Sequence, residues 1–166
     1  MKNEYDITDL RILREIREDC NISVKEMARK TDIHPNTVMQ RIKKLRDTGV
    51  IVKNQSEIDY SRLGFGMQAL IQIRIRMCAG WEDQIKNVKK IPFVAALYAV
   101  TGGPDVVAVV HLRDKKDLAD VLRLIQKNKV VANTTTMIIV DSYKQPYEFN
   151  PLVDEVLINE TVDRLG

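Results

Sequence analysis

Residues 36–46, NTVMQRIKKLR, gather Arg41, Lys43, Lys44 and Arg46 with no acid among them. Cations of this kind hold phosphates. The amides of Asn36 and Gln40 and the hydroxyl of Thr37 lie between them, and such groups can read base edges. A second stretch able to do chemistry is VTGGPDV, residues 100–106. Backbone N–H groups at Gly102 and Gly103 can hold a carboxylate. Asp105 can hold an ammonium group. The same residues also suit a plain hairpin turn. A phosphate loop is excluded, because such a loop opens a helix and ends in Lys-Ser/Thr. The chain has two histidines, His34 and His111, and two cysteines, Cys20 and Cys78, without metal-ligand spacing. No serine–histidine–acid set, paired catalytic carboxylates or nucleotide-cofactor motif can be assembled. The expectation is a protein without catalytic residues, metal or cofactor.

The basic segment has to be carried on a helix. Three helical patterns crowd the first fifty residues. ITDLRILREIRED spaces Leu10, Leu13 and Ile16 one turn apart, with Ile12 beside them. SVKEMARK opens with Ser23 and Glu26, the spacing of a capping box. HPNTVMQRIKKLRDTGV has Pro35 at the first helical position and Gly49 just past the end. His34 is read as its cap. Only Thr31 to Ile33 separate the second and third patterns, which reads as a helix-turn-helix. Ala28 is small where the two helices approach. Asp32 sits where a left-handed residue is usual, and Asp tolerates that conformation better than most. On a helical wheel Val38, Ile42 and Leu45 face inward. Asn36, Gln40 and Lys43 face outward, flanked by Thr37, Arg41 and Lys44. The candidate DNA contacts are therefore Asn36, Thr37, Gln40, Arg41, Lys43 and Lys44. A basic outer face can also be only a solvated one; the tight turn, the cap and the missing acids favour DNA. VIVKNQSEID then alternates and turns at Asn54-Gln55, which reads as a hairpin wing. Lys53 at its tip is either a phosphate contact or a solvated lysine.

Bulk properties set the limits. The chain has 166 residues, 45% hydrophobic and 30% charged, with a net charge of +3. That charge is too small to name a partner by itself. No apolar run approaches the roughly 18 residues of a membrane span. The start, MKNEYDITDL, lacks an apolar signal core. The expectation is a cytoplasmic protein with both cysteines reduced. From Glu148 onward the chain turns acidic.

Gly64 and Gly66 bracket Phe65 and mark a linker. Beyond it the pattern is βαββαβ. GMQALIQIRIRM alternates Met67, Ala69, Ile71, Ile73, Ile75 and Met77 against polar partners. WEDQIKNVKKI spaces Ile85, Val88 and Ile91 as a helix. FVAALYAV and DVVAVVHL read as the second and third strands. Asp114 caps KKDLADVLRLIQ, whose stripe is Leu118, Val121, Leu122 and Ile125. VVANTTTMIIVDSY is the fourth strand. VVAVVHL is apolar on both faces, so a second copy of the sheet should cover it and make a homodimer. His111 is read as a core histidine partnered by a carbonyl or hydroxyl. The fold class is α+β: a winged helix-turn-helix over residues 1–59, a linker over 60–66, a ferredoxin-like βαββαβ domain over 67–145, and a tail over 146–166, read as helical from Pro151.

This combination resembles the Lrp/AsnC, or feast/famine, transcription regulators of bacteria and archaea. The resemblance spans about residues 5 to 145 and rests on DLRILREIRED, TVMQRIKKLRDTGVI and TGGPD. It implies pseudo-palindromic double-stranded operator DNA, a homodimer built through the C-terminal sheets, and assembly into tetramers or octamers. It also implies a small-molecule effector, such as an amino acid, between dimers. The family's effector turn reads Thr-Gly-any-aromatic-Asp. Thr101, Gly102 and Asp105 match it, whereas Pro104 replaces the aromatic residue. The implied effector residues are Thr101, Gly102, Gly103 and Asp105, with Thr134 and Thr136 from the fourth strand. Two other readings stand beside this one. A sirohaem-decarboxylase-like enzyme of the same architecture would need histidines or arginines in a tetrapyrrole pocket. A non-specific architectural DNA-binding protein would need the basic face without base reading.

Overall fold

The computed structural model describes residues 5–76, 80–145, 148–149 and 152. Two compact units result, divided after Glu57 and after Tyr143. The first holds α1 (Ile7–Glu18), α2 (Val24–Thr31) and α3 (Pro35–Asp47). A full capping box starts α1: Asp6 accepts the Asp9 N–H at 3.0 Å, and Asp9 accepts the Asp6 N–H at 3.1 Å. At α2 only half the expected box forms. Ser23 accepts the Glu26 N–H at 3.1 Å, but the Glu26 carboxylate turns to Arg29 one turn ahead. Asp32 follows α2 at φ 56°, ψ 42°, the one left-handed non-glycine among the described residues. His34 caps α3, its Nδ1 accepting the Asn36 N–H at 3.3 Å. Gly49 takes φ 76° just beyond the helix.

The core of this unit is Ile12, Met27, Ala28, Val38 and Leu45, packed by Leu13, Ile16 and Ile42. Ile12 lies at the centre of it, not beside the stripe. Burying each large side chain contributes about 1.5–3 kcal/mol. Lys30 Nζ reaches Glu15 Oε2 at 3.0 Å and ties α2 to α1.

The expected hairpin wing is not formed. Residues 50–59 contain no paired strand, and all but Ile51 are exposed. The reason is a lack of apolar cover. Ile51 packs on the helical core, while Val52 and Ile58 stay in solvent. A hairpin with no buried face is marginal in water.

The second unit opens with a 3-10 turn, Tyr60–Leu63, then β1 (Met67–Ile75), α4 (Trp81–Ile85), β2 (Val94–Ala99), β3 (Val106–Leu112), α5 (Lys115–Gln126) and β4 (Val131–Ile139). The sheet order is β2-β3-β1-β4, and every pairing is antiparallel. That is the ferredoxin-like arrangement. Alternation along β1 and β3 buries Ala69, Ile71, Ile73 and Ile75 with Val106, Ala108, Val110 and Leu112. Val121 and Ile125 of α5 close the same core. Asp114 caps α5 by accepting the N–H groups of Lys116 and Asp117.

Two expectations change here. The first helix of this unit is short: α4 ends at Ile85 and a separate 3-10 turn follows over Val88–Lys90. Gln84 O accepts from Asn87 N–H and from Asn128 Nδ2 at 2.7 Å, so the α-helical ladder tightens there. The outer side of β3 is half-buried in the single chain. His111, on that side, has an unpartnered Nδ1 among the described residues. The Tyr60 ring packs edge-on against its imidazole, with centroids 5.7 Å apart. Burial pushes the His111 pKa down. Met77, Cys78 and, but for Leu152, the tail helix read from Pro151 lie outside the described residues.

Candidate nucleic-acid interface and ligand turn

The outward edge of α3 is set by three local devices. The left-handed Asp32 turns the chain out of α2. His34 satisfies the first free N–H of α3, and Pro35 has no N–H to satisfy. Val38 and Leu45, fully buried, then fix the rotation of the helix. Asn36, Gln40 and Lys43 are exposed as a result, while Thr37, Arg41 and Lys44 are half-buried. Met39, 51% exposed, stands on the same edge. Its side chain offers an apolar contact of the kind that suits a thymine methyl. The sequence pattern did not single it out, because methionine reads as core by default.

Arg41 does not simply project from the helix. Its Nη1 lies 2.7 Å from Asp6 Oδ2, and 3.2 Å and 3.1 Å from the two oxygens of Asp9. Asp9 is fully buried. Lys44 Nζ approaches Asp9 at 3.8 Å and lies 5.2 Å from the Tyr5 ring centroid. Two of the six candidate contacts are thus drawn to the start of α1. The Asp6 hydrogen bond raises the Arg41 pKa further. Burial pushes the Asp6 carboxyl up, but the Asp9 N–H and the Arg41 guanidinium outweigh it and hold it below the usual range. The Asp6/Asp9 spacing is that of a cap, a signal the sequence reading did not use, and the cation the pair serves lies more than thirty residues away.

The glycine turn joins β2 to β3. Val100 N–H donates to Asp105 O at 3.1 Å and closes it. Thr101, Gly102 and Gly103 are exposed, and Gly102 takes φ 114°. Arg74 Nη2 donates to Gly103 O at 2.6 Å. Asp105 faces the end of β1, where its Oδ2 accepts the Ile75 N–H at 2.7 Å. Thr134 and Thr136 pair with Ile73 and Ile71 on the helix-covered side of the sheet. Thr134 Oγ1 accepts from Gln126 Nε2 of α5 at 3.2 Å. Thr135 faces the other side, as alternation requires. Asp105 and Thr134 therefore flank the same end of β1 on opposite neighbouring strands. A cleft of about 430 Å³ lies elsewhere, between Gln84, Val88, Leu124 and Asn128, and includes none of these residues.

A helix-turn-helix with an acid-free start to its outward helix, followed by a ferredoxin-like domain with a glycine turn, defines a DNA-binding regulator with a ligand domain. Comparison with known proteins supports that class. A model of winged helix-turn-helix DNA-binding domains matches residues 5–52, and the Lrp/AsnC ligand binding domain matches residues 68–149. The regulator AldR of Mycolicibacterium smegmatis is 30% identical over 141 residues, 83% of this chain and 82% of that protein. The regulator FL11 of Pyrococcus horikoshii is 29% identical over 148 residues, 89% of this chain and 97% of that protein. Among solved structures, a regulator from Neisseria meningitidis in complex with L-Met superposes with a TM-score of 0.83 at 22% identity, covering 88% of this chain and 96% of that one. AsnC of E. coli superposes at 0.80 and 21%, covering 86% and 97%. The chain belongs to the Lrp/AsnC family of transcriptional regulators.

Proposed function

We propose that this regulator reads a pseudo-palindromic operator as a homodimer or a larger even assembly, and that an amino acid or related small molecule biases that assembly. The observation that carries the DNA part is the exposed edge of Asn36, Gln40 and Lys43 on a helix whose first turn has no acid. Asn36, Thr37 and Gln40 read base edges; Lys43 holds phosphate. Arg41 and Lys44 flank this edge.

Assembly is supported by the uncovered side of the sheet. Leu70, Val107 and Val109 are half-buried there, beside exposed Tyr98 and Met137. A second sheet face would remove these groups from water, at about 25 cal/mol per Å² of apolar surface. Tetramers or octamers then follow from repeated use of further surfaces. The effector is assigned to Thr101, Gly102, Gly103 and Asp105. Backbone N–H groups at the turn face a carboxylate, and the second oxygen of Asp105 faces an ammonium. The turn is exposed in one chain, so a neighbouring subunit must enclose the ligand. Thr134, already bonded to Gln126, and Thr136 lie on β4 beside β1, on the helix-covered side of the sheet, and the assignment does not require their hydroxyls. No helix among the described residues is long and apolar enough to cross a membrane. We place the protein in the cytoplasm, where its operator lies, and as a regulator rather than an enzyme.

The test is a salt titration of binding to duplexes selected from genomic fragments. Counterion release requires a steep loss of affinity with salt. A flat response would end the DNA reading. Sedimentation with and without single amino acids tests the effector, which must shift the assembly to count as one.

A further inference from the structure

We propose that Asp6 sets the strength of phosphate binding at the DNA interface: its carboxylate holds the Arg41 guanidinium and keeps that cation from DNA phosphates. This rests on the reading of α3 as the recognition helix.

The two carboxylates around Arg41 are not equivalent. Asp9 is fully buried, holds the Asp6 N–H, and has both Arg41 and Lys44 against it. Removing its cation would leave a buried unpaired charge, a costly state. Asp6 stands at the rim, with 49% of its side chain exposed, and makes the shortest bond to Arg41. A guanidinium binds carboxylate and phosphate with the same donors. Asp6 is therefore an internal competitor for the group that a phosphate would engage. Phosphate contacts carry no sequence information, and they supply essentially all non-specific affinity. Withholding one cation lowers binding to operator and random DNA alike and leaves the base-reading edge of Asn36 and Gln40 intact.

The charge on Asp6 is not needed for its local task. Capping α1 requires an oxygen that accepts the Asp9 N–H, and asparagine supplies one as well as aspartate does. Asp6→Asn thus separates the cap from the competitor. A control, Asp47→Asn at the far end of α3, makes the same change in net charge without touching Arg41.

The experiment measures affinity of the full-length protein for its selected operator and for a random duplex, from low to physiological salt. Asp6→Asn should melt close to the native protein. It should bind random DNA several-fold more tightly, and its log K against log salt should steepen by about 0.9, one phosphate. Operator binding should tighten by the same factor, so the ratio of operator to random affinity should stay constant. Asp47→Asn should leave the slope unchanged. Asp6→Ser, a second good cap, should reproduce Asp6→Asn. An unchanged slope in Asp6→Asn, or an equal gain in Asp47→Asn, overturns the proposal. Absence of salt-dependent DNA binding in the native protein instead overturns the recognition-helix reading itself.

Discussion

Asp105 completes the β1–β3 ladder with its side chain: its N–H donates to Ile73 O at 3.1 Å, and its carboxylate accepts the Ile75 N–H at 2.7 Å. Main-chain pairing between the two strands stops at Ile73 and Val106. One residue further the chain has turned into the glycine loop, so no carbonyl is available for Ile75. The aspartate oxygen takes that place, beside the Arg74/Ile75 step where β1 also shifts register against β4.

This gives Asp105 two separable roles. Asp105→Ala leaves the Ile75 N–H without its partner and should cost about 1–3 kcal/mol. Asp105→Asn keeps an acceptor oxygen and should melt within a degree or two of the native protein. If the carboxylate also holds an effector ammonium, Asp105→Asn should lose the effector-induced melting shift. Retention of the full shift in Asp105→Asn would confine the residue to the ladder.

The two glycines of the turn should respond differently to alanine. Gly102 sits at φ 114°, which L residues rarely adopt, so Gly102→Ala should cost at least about 1–2 kcal/mol in strain. Gly103 has no such φ, and an added Cβ would meet nothing within 4 Å. Gly103→Ala should be close to neutral. Thermal denaturation of both variants checks the pair.

On the recognition helix, Gln40→Ala should relax discrimination at one operator position by about 1–3 kcal/mol. Lys43→Ala should weaken operator and random DNA alike and reduce the salt slope by about one. Binding curves across single-base operator variants separate the two patterns. Lys43 is the better phosphate probe than Lys44, whose Nζ is already near Asp9 and the Tyr5 ring.

Stability should fall in two stages as pH is lowered. Burial depresses the His111 pKa below its usual 6.5. The unfolded chain therefore takes up that proton first. The contribution of neutral His111 is complete above 6.5 and is lost as pH falls through the lower folded value. The Arg113 hydrogen bond holds Asp117 at about 2, against an ordinary 3.8. Its contribution is present above 3.8 and is lost as pH falls towards 2. Melting curves between pH 8 and pH 2 should show both declines. His111→Gln should remove the first, and Asp117→Asn should reduce the second, to which the lowered carboxyl of Asp6 also contributes.

Much of this arrangement was legible in the residues themselves. The α3 boundaries follow from His34, Pro35 and Gly49, which act on the nearest turn of backbone. Asp114 marks the start of α5 in the same way. Strand alternation in β1 named Ala69, Ile71, Ile73 and Ile75 as buried, whereas β3, apolar on both faces, gave no such division. The inward set Val38, Ile42 and Leu45 is a matter of helical geometry alone. The Ser23/Glu26 spacing misled in part, because Arg29 competes for the Glu26 carboxylate and a motif names only one partner. The wing misled for a different reason. Alternation in residues 50–59 describes a strand only where another surface buries one face, and here Ile51 alone finds one.

The sequence by itself determined the order of the helices and sheet strands, the bounds of α3, the start of α5, the inner face of β1 and the acid-free edge of α3. These depend on steric and hydrogen-bonding preferences over a few neighbouring residues. Tertiary structure decided which carboxylates hold Arg41, thirty-five residues from Asp6, and which strand receives Asp105, thirty residues from Ile75. It also decided that Asn128 would shorten α4 from 44 residues away. Such pairings join groups that local pattern leaves equally free, and only closing the chain around its two cores brings one partner rather than another within hydrogen-bond distance.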